Sequence, residues 1–151
     1  MPTKSVPSGY HSVTPYFVVE GAARVIDFMV TVFDGKERER MAKPDGSVGH
    51  AEIAIGDSVV MISDATATSK AMPGMLYVYV PDVDATYSRA LAAGATSMMA
   101  PADQFYGDRH GGVRDFAGNQ WWIATHIEDV SPEEMRRRGE AHFKKQAQSR
   151  S

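Results

Sequence analysis

The amino-acid sequence predicts an α+β fold made of two tandem βαβββ modules, whose curved mixed sheets enclose a cavity, followed by a C-terminal helix. The two halves of the chain repeat one order of strand, apolar-striped helix, strand and hairpin. The glycine that ends each predicted helix recurs after 59 residues, at Gly35 and Gly94, and the hairpin glycine recurs after 62 residues, at Gly56 and Gly118. A repeat of this length exceeds a solenoid repeat, and two such units are expected to share a cavity.

The first module has the pattern of one helix and four strands. Its helix carries apolar side chains from Ala22 to Phe33 at helical spacing, and Gly35 is expected in the left-handed position after it. Alternating apolar and polar residues on both sides of Gly56 and Asp57 predict a hairpin. The predicted strands are residues 13–19, 36–41, 50–55 and 58–63.

The second module repeats this order after a small, polar linker at residues 65–73. Asp82 is the expected N-cap of its helix, and Gly94 ends that helix. Residues 101–112 contain three glycines and several charges, and we expect a long functional loop there. The predicted strands are residues 75–80, 95–99, 113–116 and 120–125.

The segment Ser131-Pro132-Glu133-Glu134 predicts the start of a C-terminal helix. Serine and glutamate three residues apart form a capping box, and proline is favoured in the first helical turn. Met135 and Phe143 share one side of an otherwise polar helix, so we expect it to dock through few residues, with a second subunit as one alternative.

The sequence predicts one domain at residues 1–130, which contains modules 12–64 and 74–126. A C-terminal helix and tail follow at residues 131–151.

The composition excludes several classes of protein. The 151 residues carry 16 basic and 19 acidic side chains, a net charge of −3, so there is no basic surplus for a nucleic-acid partner. There is no cysteine, which excludes disulfides and thiolate chemistry. No apolar run reaches the roughly 18 residues of a membrane span, and the N-terminus lacks the apolar core of a signal peptide. We expect a cytoplasmic protein with no membrane or nucleic-acid partner.

Five groups of residues stand in register with the internal repeat. They are residues 13–16, 50–53 with 56–58, 79–84, 105–109 with 113–115, and 118–122. Together they resemble the vicinal oxygen chelate superfamily over residues 12–130, in its branch of glyoxalase/bleomycin-resistance-like proteins. The resemblance implies two U-shaped sheets around a site. In family enzymes it also implies a divalent metal that polarises two neighbouring oxygens of the substrate.

The positions at which the family places its metal ligands fall on Thr14, Ala54, Gly74 or Met75, and Trp122 in this sequence. The family ligands are His, Glu or Gln, and apart from Thr14 none of these side chains can take their place. We therefore expect no metal and no other cofactor, with a divalent metal as the less favoured alternative.

His50 and Glu52 are the candidate catalytic pair. They lie two residues apart in a predicted strand, so they share the face that also carries Ala54. Such a pair can act as acid and base, or bind a metal with a third group, because two protein ligands are too few. The structural alternative is a pair that only lines or seals the cavity. The remaining histidines, expected at the surface, are His11, His110, His126 and His142.

Aromatic and basic residues supply the candidate ligand-binding positions. Trp122 is expected to face the cavity and Trp121 the helices, since adjacent strand residues point to opposite faces. Rings in the cavity would stack a planar ligand, whereas in the alternative they pack in the core. Two arginines would clamp an anionic or carbonyl group, or instead pair with Asp108 and Asp115. The set is Thr14, Tyr16, Phe105, Tyr106, Arg109, Arg114 and Trp122, with Tyr77 or Tyr79 joining the stack.

Three functions remain open from the sequence. The favoured one is a metal-independent protein that binds a small planar organic molecule, in the manner of antibiotic-sequestering relatives. The first alternative is a divalent-metal-dependent lyase, isomerase or dioxygenase that uses His50, Glu52 and an unforeseen third group. The second is a protein without a small ligand, whose function lies in its dimer. A homodimer is expected in each case, with exchange of modules between chains as one form.

Overall fold

The computed structural model describes residues 2–149, which form two four-stranded mixed sheets and three helices. The first module comprises β1 (Tyr16–Val19), α1 (Ala22–Phe33), β2 (Lys36–Ala42), β3 (Val48–Ile55) and β4 (Ser58–Asp64). The second comprises β5 (Met75–Tyr79), α2 (Val83–Ala92), β6 (Thr96–Asp103), β7 (Asp108–Arg114) and β8 (Gln120–His126). The C-terminal helix is α3 (Pro132–Ser149).

Both sheets have the same topology. The strand orders are β1-β4-β3-β2 and β5-β8-β7-β6, and in each sheet the first strand runs parallel to the last while the other neighbours are antiparallel. In each module a helix connects the first strand to the second. The predicted α+β fold with two tandem βαβββ modules and a C-terminal helix is therefore confirmed.

The helix ends follow from local chemistry, with one departure from the prediction. The Asp82 carboxylate accepts a hydrogen bond from the Ala85 backbone N–H at 3.1 Å, and Gly94 has a φ of +100° after α2, as expected. After α1, however, Asp34 takes the left-handed conformation with a φ of 54°. Gly35 serves close packing instead, because a Cβ there would lie 2.9 Å from the Cγ2 of Ile53.

The expected long loop at residues 101–112 is wrong. β6 extends to Asp103 and β7 begins at Asp108, so only a four-residue turn separates them. Pro101 is tolerated because β6 is an edge strand and has an irregular register there. β7 requires glycine at position 111, because a Cβ there would come within 3.0 Å of the Met99 carbonyl oxygen and the Pro101 nitrogen.

The two modules share one hydrophobic core. Trp121 of β8 is completely buried, and its ring centroid lies 5.1 Å from that of Phe33 and 5.7 Å from that of Phe28, both in α1. Arg89 of α2 donates hydrogen bonds to the backbone carbonyl of Val32. The helix-bearing sides of the two modules therefore meet, and the opposite faces of both sheets point away from this core.

The C-terminal helix docks on the turn between β6 and β7. Arg138 donates a hydrogen bond to the Phe105 carbonyl at 3.1 Å and pairs with Glu128 at 2.8 Å. Gly139 is the buried residue of α3, and the Phe105 ring packs beside it. Ser131 accepts a bond from the Glu134 backbone N–H, which confirms the predicted helix start. None of the helices among residues 2–149 has the length and apolar content to cross a membrane.

Candidate functional site

The outward face of the second sheet carries a dense group of polar and aromatic side chains. In the β7–β8 register, Asp108 stands opposite His126 and Gly112 stands opposite Trp122. Strand alternation directs all four positions away from the core, on the side opposite Trp121. We call this surface the second open face and define it by Tyr77, Tyr79, Asp108, His110, Trp122 and His126.

Asp108 is the buried centre of this face. Its carboxylate accepts hydrogen bonds from the hydroxyls of Tyr77 and Tyr79, each at 2.8 Å, and from the Nδ1 of His126, also at 2.8 Å. Only 3% of Asp108 is exposed. The other ring nitrogen of His126, Nε2, lies 2.7 Å from Asp129. Three donors around one buried carboxylate fix the positions of both tyrosine rings.

Burial and these hydrogen bonds shift the pKa values of Asp108, Tyr77 and His126. Burial acts to raise the pKa of Asp108, but the bonds from His126, Tyr79 and Tyr77 outweigh it and hold the pKa below its ordinary value. Burial, with Tyr106 and Asp108 nearby, strongly raises the pKa of Tyr77. The bond to Asp108 raises the pKa of His126. At neutral pH the centre is therefore a carboxylate held by neutral phenols.

His110 links this network to the open surface. Its Nδ1 lies 2.8 Å from the Tyr106 hydroxyl and 3.1 Å from the Tyr77 hydroxyl. Burial lowers the pKa of His110, so the ring is neutral at pH 7. Among residues 2–149 its Nε2 has no hydrogen-bond partner, and this atom is in contact with solvent.

Trp122 forms a flat surface beside His110. Their ring centroids are 5.4 Å apart. The Trp122 ring crosses β7 over Gly112, where a Cβ would lie 2.7 to 2.8 Å from three of its ring carbons. The indole Nε1–H donates to the Gln120 side chain at 3.1 Å. Arg114 follows on the same side of β7 by strand alternation, and it makes no ion pair within the described part of the chain.

The first sheet carries a smaller version of the same arrangement, here called the first open face and defined by Tyr16, His50, Glu52 and Met61. Register makes the two faces equivalent: Tyr16 pairs with Met61, as Tyr77 pairs with Trp122. Met61 then pairs with Glu52, as Trp122 pairs with Gly112. His50 lies two residues before Glu52, and His110 lies two residues before Gly112. Both open faces therefore carry a Tyr–His pair.

The predicted catalytic pair lies on this first open face. His50 Nε2 is 3.3 Å from Glu52 Oε2, and both side chains are about four-fifths buried. Tyr10 donates a hydrogen bond to the other oxygen of Glu52, and this bond is the main cause that lowers the pKa of the Glu52 carboxyl. The Tyr16 hydroxyl lies 3.5 Å from His50 Nδ1. His50, Glu52 and Tyr16 are thus brought together. The catalytic role of His50 and Glu52 and the ligand-binding role of Tyr16 remain predictions.

Three other predicted ligand-binding residues lie elsewhere. Thr14 precedes β1 and bonds to the His11 carbonyl at 3.3 Å. Phe105 packs against α3, with its ring centroid 5.0 Å from that of His142. Arg109 lies on the helix side of β7, where it makes a bidentate pair with Asp84 at 2.9 and 3.0 Å.

The alternative pairings of the arginines are also not formed. Asp108 bonds to tyrosines and His126 rather than to Arg109. Asp115 accepts bonds from Asn119 and from the Trp121 Nε1–H, rather than from Arg114.

Asp108, His110 and His126 were missed by sequence reasoning as members of a site. The interpretation of residues 101–112 as a loop hid the alternation of β7, which places Asp108, His110 and Gly112 on one face. A signal was available in the internal repeat. Tyr77 follows Tyr16 by 61 residues and His110 follows His50 by 60, which matches the repeat found from the glycines.

The residues at the family's metal positions do not fit a metal. Ala54, Met75 and Trp122 offer no oxygen or imidazole donor for a divalent cation, and Thr14 is turned to its own loop. Residues 2–149 also contain no group of three or more His, Asp or Glu side chains placed to hold a metal ion.

Comparison with known proteins agrees with this architecture. The chain is 38% identical over 135 residues to an uncharacterized protein from Mycobacterium tuberculosis, covering 82% of this chain and 79% of that protein. Among solved structures, TioX from Micromonospora sp. ML1 is similar with a TM-score of 0.61 and 26% identity, over 76% of this chain and 96% of TioX. TnmS3, an antibiotic binding protein from Streptomyces sp. CB03234, has a TM-score of 0.62 at 18% identity, over 82% of this chain and 99% of TnmS3.

The family model of the Glyoxalase/Bleomycin resistance protein/Dioxygenase superfamily matches residues 10–123. This match spans both modules, from Tyr10 to Ile123 in β8, and so confirms the resemblance expected from the sequence. The chain belongs to the glyoxalase/bleomycin resistance protein/dioxygenase superfamily.

Proposed function

We propose that this protein binds a small planar organic molecule on the second open face, without a metal. The observation that carries the proposal is Trp122, which stands at a family metal position, crosses β7 over Gly112 and is only partly buried. Flat aromatic surfaces bind planar ligands by stacking, and a few fixed polar groups orient them. Here Tyr106 and His110 supply those polar groups, and Tyr77 holds His110 in place.

Similarity of the fold to a known binding protein supports the proposal that this protein binds a small molecule. TnmS3, which shares the fold, is described as an antibiotic binding protein. At 18% identity this likeness concerns the fold, so the ligand of the present protein must be argued from its own side chains.

A homodimer would complete the site. Several large apolar side chains on and beside the two open faces are exposed in the single chain, including Tyr16 at 48%, Tyr79 at 60% and Met75 at 63%. Exposed patches of this kind are typical of interaction surfaces. We propose that a second copy places its first open face over the second open face, so that one Tyr–His pair stands on each wall. Exchange of modules between chains is one way to build this pair of surfaces.

The alternative is a divalent-metal enzyme that uses His50 and Glu52. The 3.3 Å contact between these two side chains favours it, because they form a ready acid–base pair. Metal analysis of protein purified without chelator decides between the two functions. The binding proposal predicts far less than one equivalent of any transition metal, whereas about one equivalent per chain would support the enzyme.

The direct test of the binding proposal is calorimetric titration of 2-naphthoate into chelator-treated protein. We expect saturable binding that weakens about tenfold in Trp122→Leu, because that variant loses the stacking surface. Phe143→Ala removes an exposed aromatic ring from α3, outside the face, and is expected to bind like the wild type. Equal affinity in the wild type and Trp122→Leu, or binding only after a metal is added, would contradict the proposal.

A further inference from the structure

The second open face contains a chain of hydrogen bonds whose direction is fixed at one end. Asp108 is ionised at neutral pH and can only accept, so Tyr77 donates its single hydroxyl proton to this carboxylate. The oxygen of Tyr77 is then free to accept a bond from the Nδ1 of His110, which lies 3.1 Å away. The Tyr106 oxygen lies 2.8 Å from the same Nδ1 and can share its proton.

This direction fixes the state of His110. If Nδ1 carries the proton, it can donate to the Tyr77 oxygen, and the hydrogen bonds from His110 to Tyr77 and from Tyr77 to Asp108 are both made. In the opposite tautomer Tyr106 donates to Nδ1, and the contact between Nδ1 and the Tyr77 oxygen has no proton. Because burial keeps the ring neutral, the Nε2 of His110 therefore presents a lone pair to solvent.

The unprotonated Nε2 of His110 can only accept a hydrogen bond, which limits the ligand groups that can bind to it. A hydroxyl group can donate to it, whereas a carbonyl or carboxylate oxygen would be repelled. The aromatic surface of Trp122 lies next to His110, at 5.4 Å between ring centroids. A phenolic or enolic hydroxyl at the edge of a stacked ring is therefore the group that fits His110.

The other end of the surface carries a positive charge. Arg114 lies four residues after His110 on β7, which places their Cα atoms about 13 Å apart, with Trp122 between them. Two fused rings with a substituent at each end bridge this span. A planar guanidinium without an ion pair among the described residues suits a carboxylate or another oxyanion.

We infer that the ligand of the second open face is a planar hydroxyaromatic anion, an inference that rests on the function proposed above. Its hydroxyl donates to the Nε2 of His110, its rings stack on Trp122, and its anionic group lies against Arg114. Asp108 and Tyr77 are positioning residues, because they set the tautomer of His110.

Three probes test the inference by calorimetry: 6-hydroxy-2-naphthoate, 2-naphthoate and 2-naphthol. The hydroxynaphthoate is expected to bind about fivefold more tightly than 2-naphthoate, the effect of one good hydrogen bond. His110→Phe should remove this preference and leave the affinity for 2-naphthoate unchanged. Arg114→Gln should weaken both naphthoates about tenfold and leave 2-naphthol unchanged. Arg109→Gln, which alters an arginine on the other side of β7, is the matched control.

The outcomes separate the two proposals. Trp122-dependent binding of both naphthoates with equal affinity would overturn the hydroxyl inference and leave the proposed function intact. Failure of all three probes to bind would overturn both. An unchanged affinity for the naphthoates in Arg114→Gln would overturn the assignment of the anion site.

The tautomer of His110 gives a second readout that does not depend on any ligand. Nitrogen-15 NMR of the histidine ring at pH 7 is expected to show a protonated Nδ1 and an unprotonated Nε2 in the wild type. Tyr77→Phe removes an oxygen that accepts the Nδ1 proton and leaves Tyr106 able to donate to Nδ1, so it should shift the ring toward the other tautomer. A protonated Nε2 in the wild type would overturn the inferred direction of the chain.

Discussion

Substitution of Gly112 by alanine tests the geometry on which the binding surface depends. The new Cβ would stand 2.7 to 2.8 Å from three carbons of the Trp122 six-membered ring. Carbon atoms pack best at about 3.5–4.0 Å, so the ring must move by roughly 0.7 Å or more. Overpacking of this kind costs about 1–3 kcal/mol of folding free energy. For a chain of this length we expect the melting temperature to fall by roughly 2–12 °C.

A double-mutant cycle isolates the contact with Trp122. Trp122→Leu removes the ring from β7, so adding Gly112→Ala in that background should cost less than about 0.5 kcal/mol. Chemical unfolding of the wild type, both single variants and the double variant measures the coupling. Calorimetry with 2-naphthoate should also show weaker binding by Gly112→Ala, since the Trp122 ring is displaced. If Gly112→Ala costs the same free energy of unfolding in both backgrounds, Trp122 does not lie over Gly112.

Three further predictions concern the surroundings of this face. The pKa of Asp108 is lowered by folding, so its stabilisation is present above the unfolded pKa of about 3.9 and is lost as pH falls through the folded value. Urea unfolding from pH 7 to pH 3 should therefore show a steeper loss of stability for the wild type than for Asp108→Asn, and parallel curves would contradict it. Arg138→Gln removes the bonds to Phe105 and Glu128, so amide exchange in α3 should accelerate while β8 is unaffected; unchanged exchange in α3 would show that other contacts hold it. Arg109→Gln should leave the affinity for 2-naphthoate within twofold of the wild type, because Arg109 pairs with Asp84 and Asp103 on the helix side; a tenfold loss would return Arg109 to the binding site.

The sequence predicts most of the fold because local signals and the internal repeat agree. Asp82, Gly94 and Ser131 mark helix ends by their own backbone and side-chain chemistry. The end of α1 was misplaced because Asp34 adopts a left-handed conformation that favours glycine, while the neighbouring Gly35 is required by the packing of Ile53. Close packing between elements cannot be read from local sequence alone.

The site was less predictable for a related reason. Pro101 and Gly111 indicate a loop by composition, yet both lie in paired strands, since Pro101 is on an edge and Gly111 meets the backbone of β6 closely. Without β7, the shared face of Asp108 and His110 could not be seen. The arrangement of the two modules, with helices inward and open faces outward, depends on Trp121 packing against α1, which is a contact between distant segments.

In the function proposed above, Trp122 forms a ligand surface that needs no metal. The two tryptophans give separate indole signals in a proton–nitrogen NMR spectrum, because Trp121 donates to buried Asp115 and Trp122 donates to Gln120. In chelator-treated protein, 2-naphthoate is predicted to shift the Trp122 signal, identified by its loss in Trp122→Leu, and to leave the Trp121 signal in place. A Trp122 signal that stays fixed while the probe binds, or that moves only when a divalent metal is added, would contradict the account.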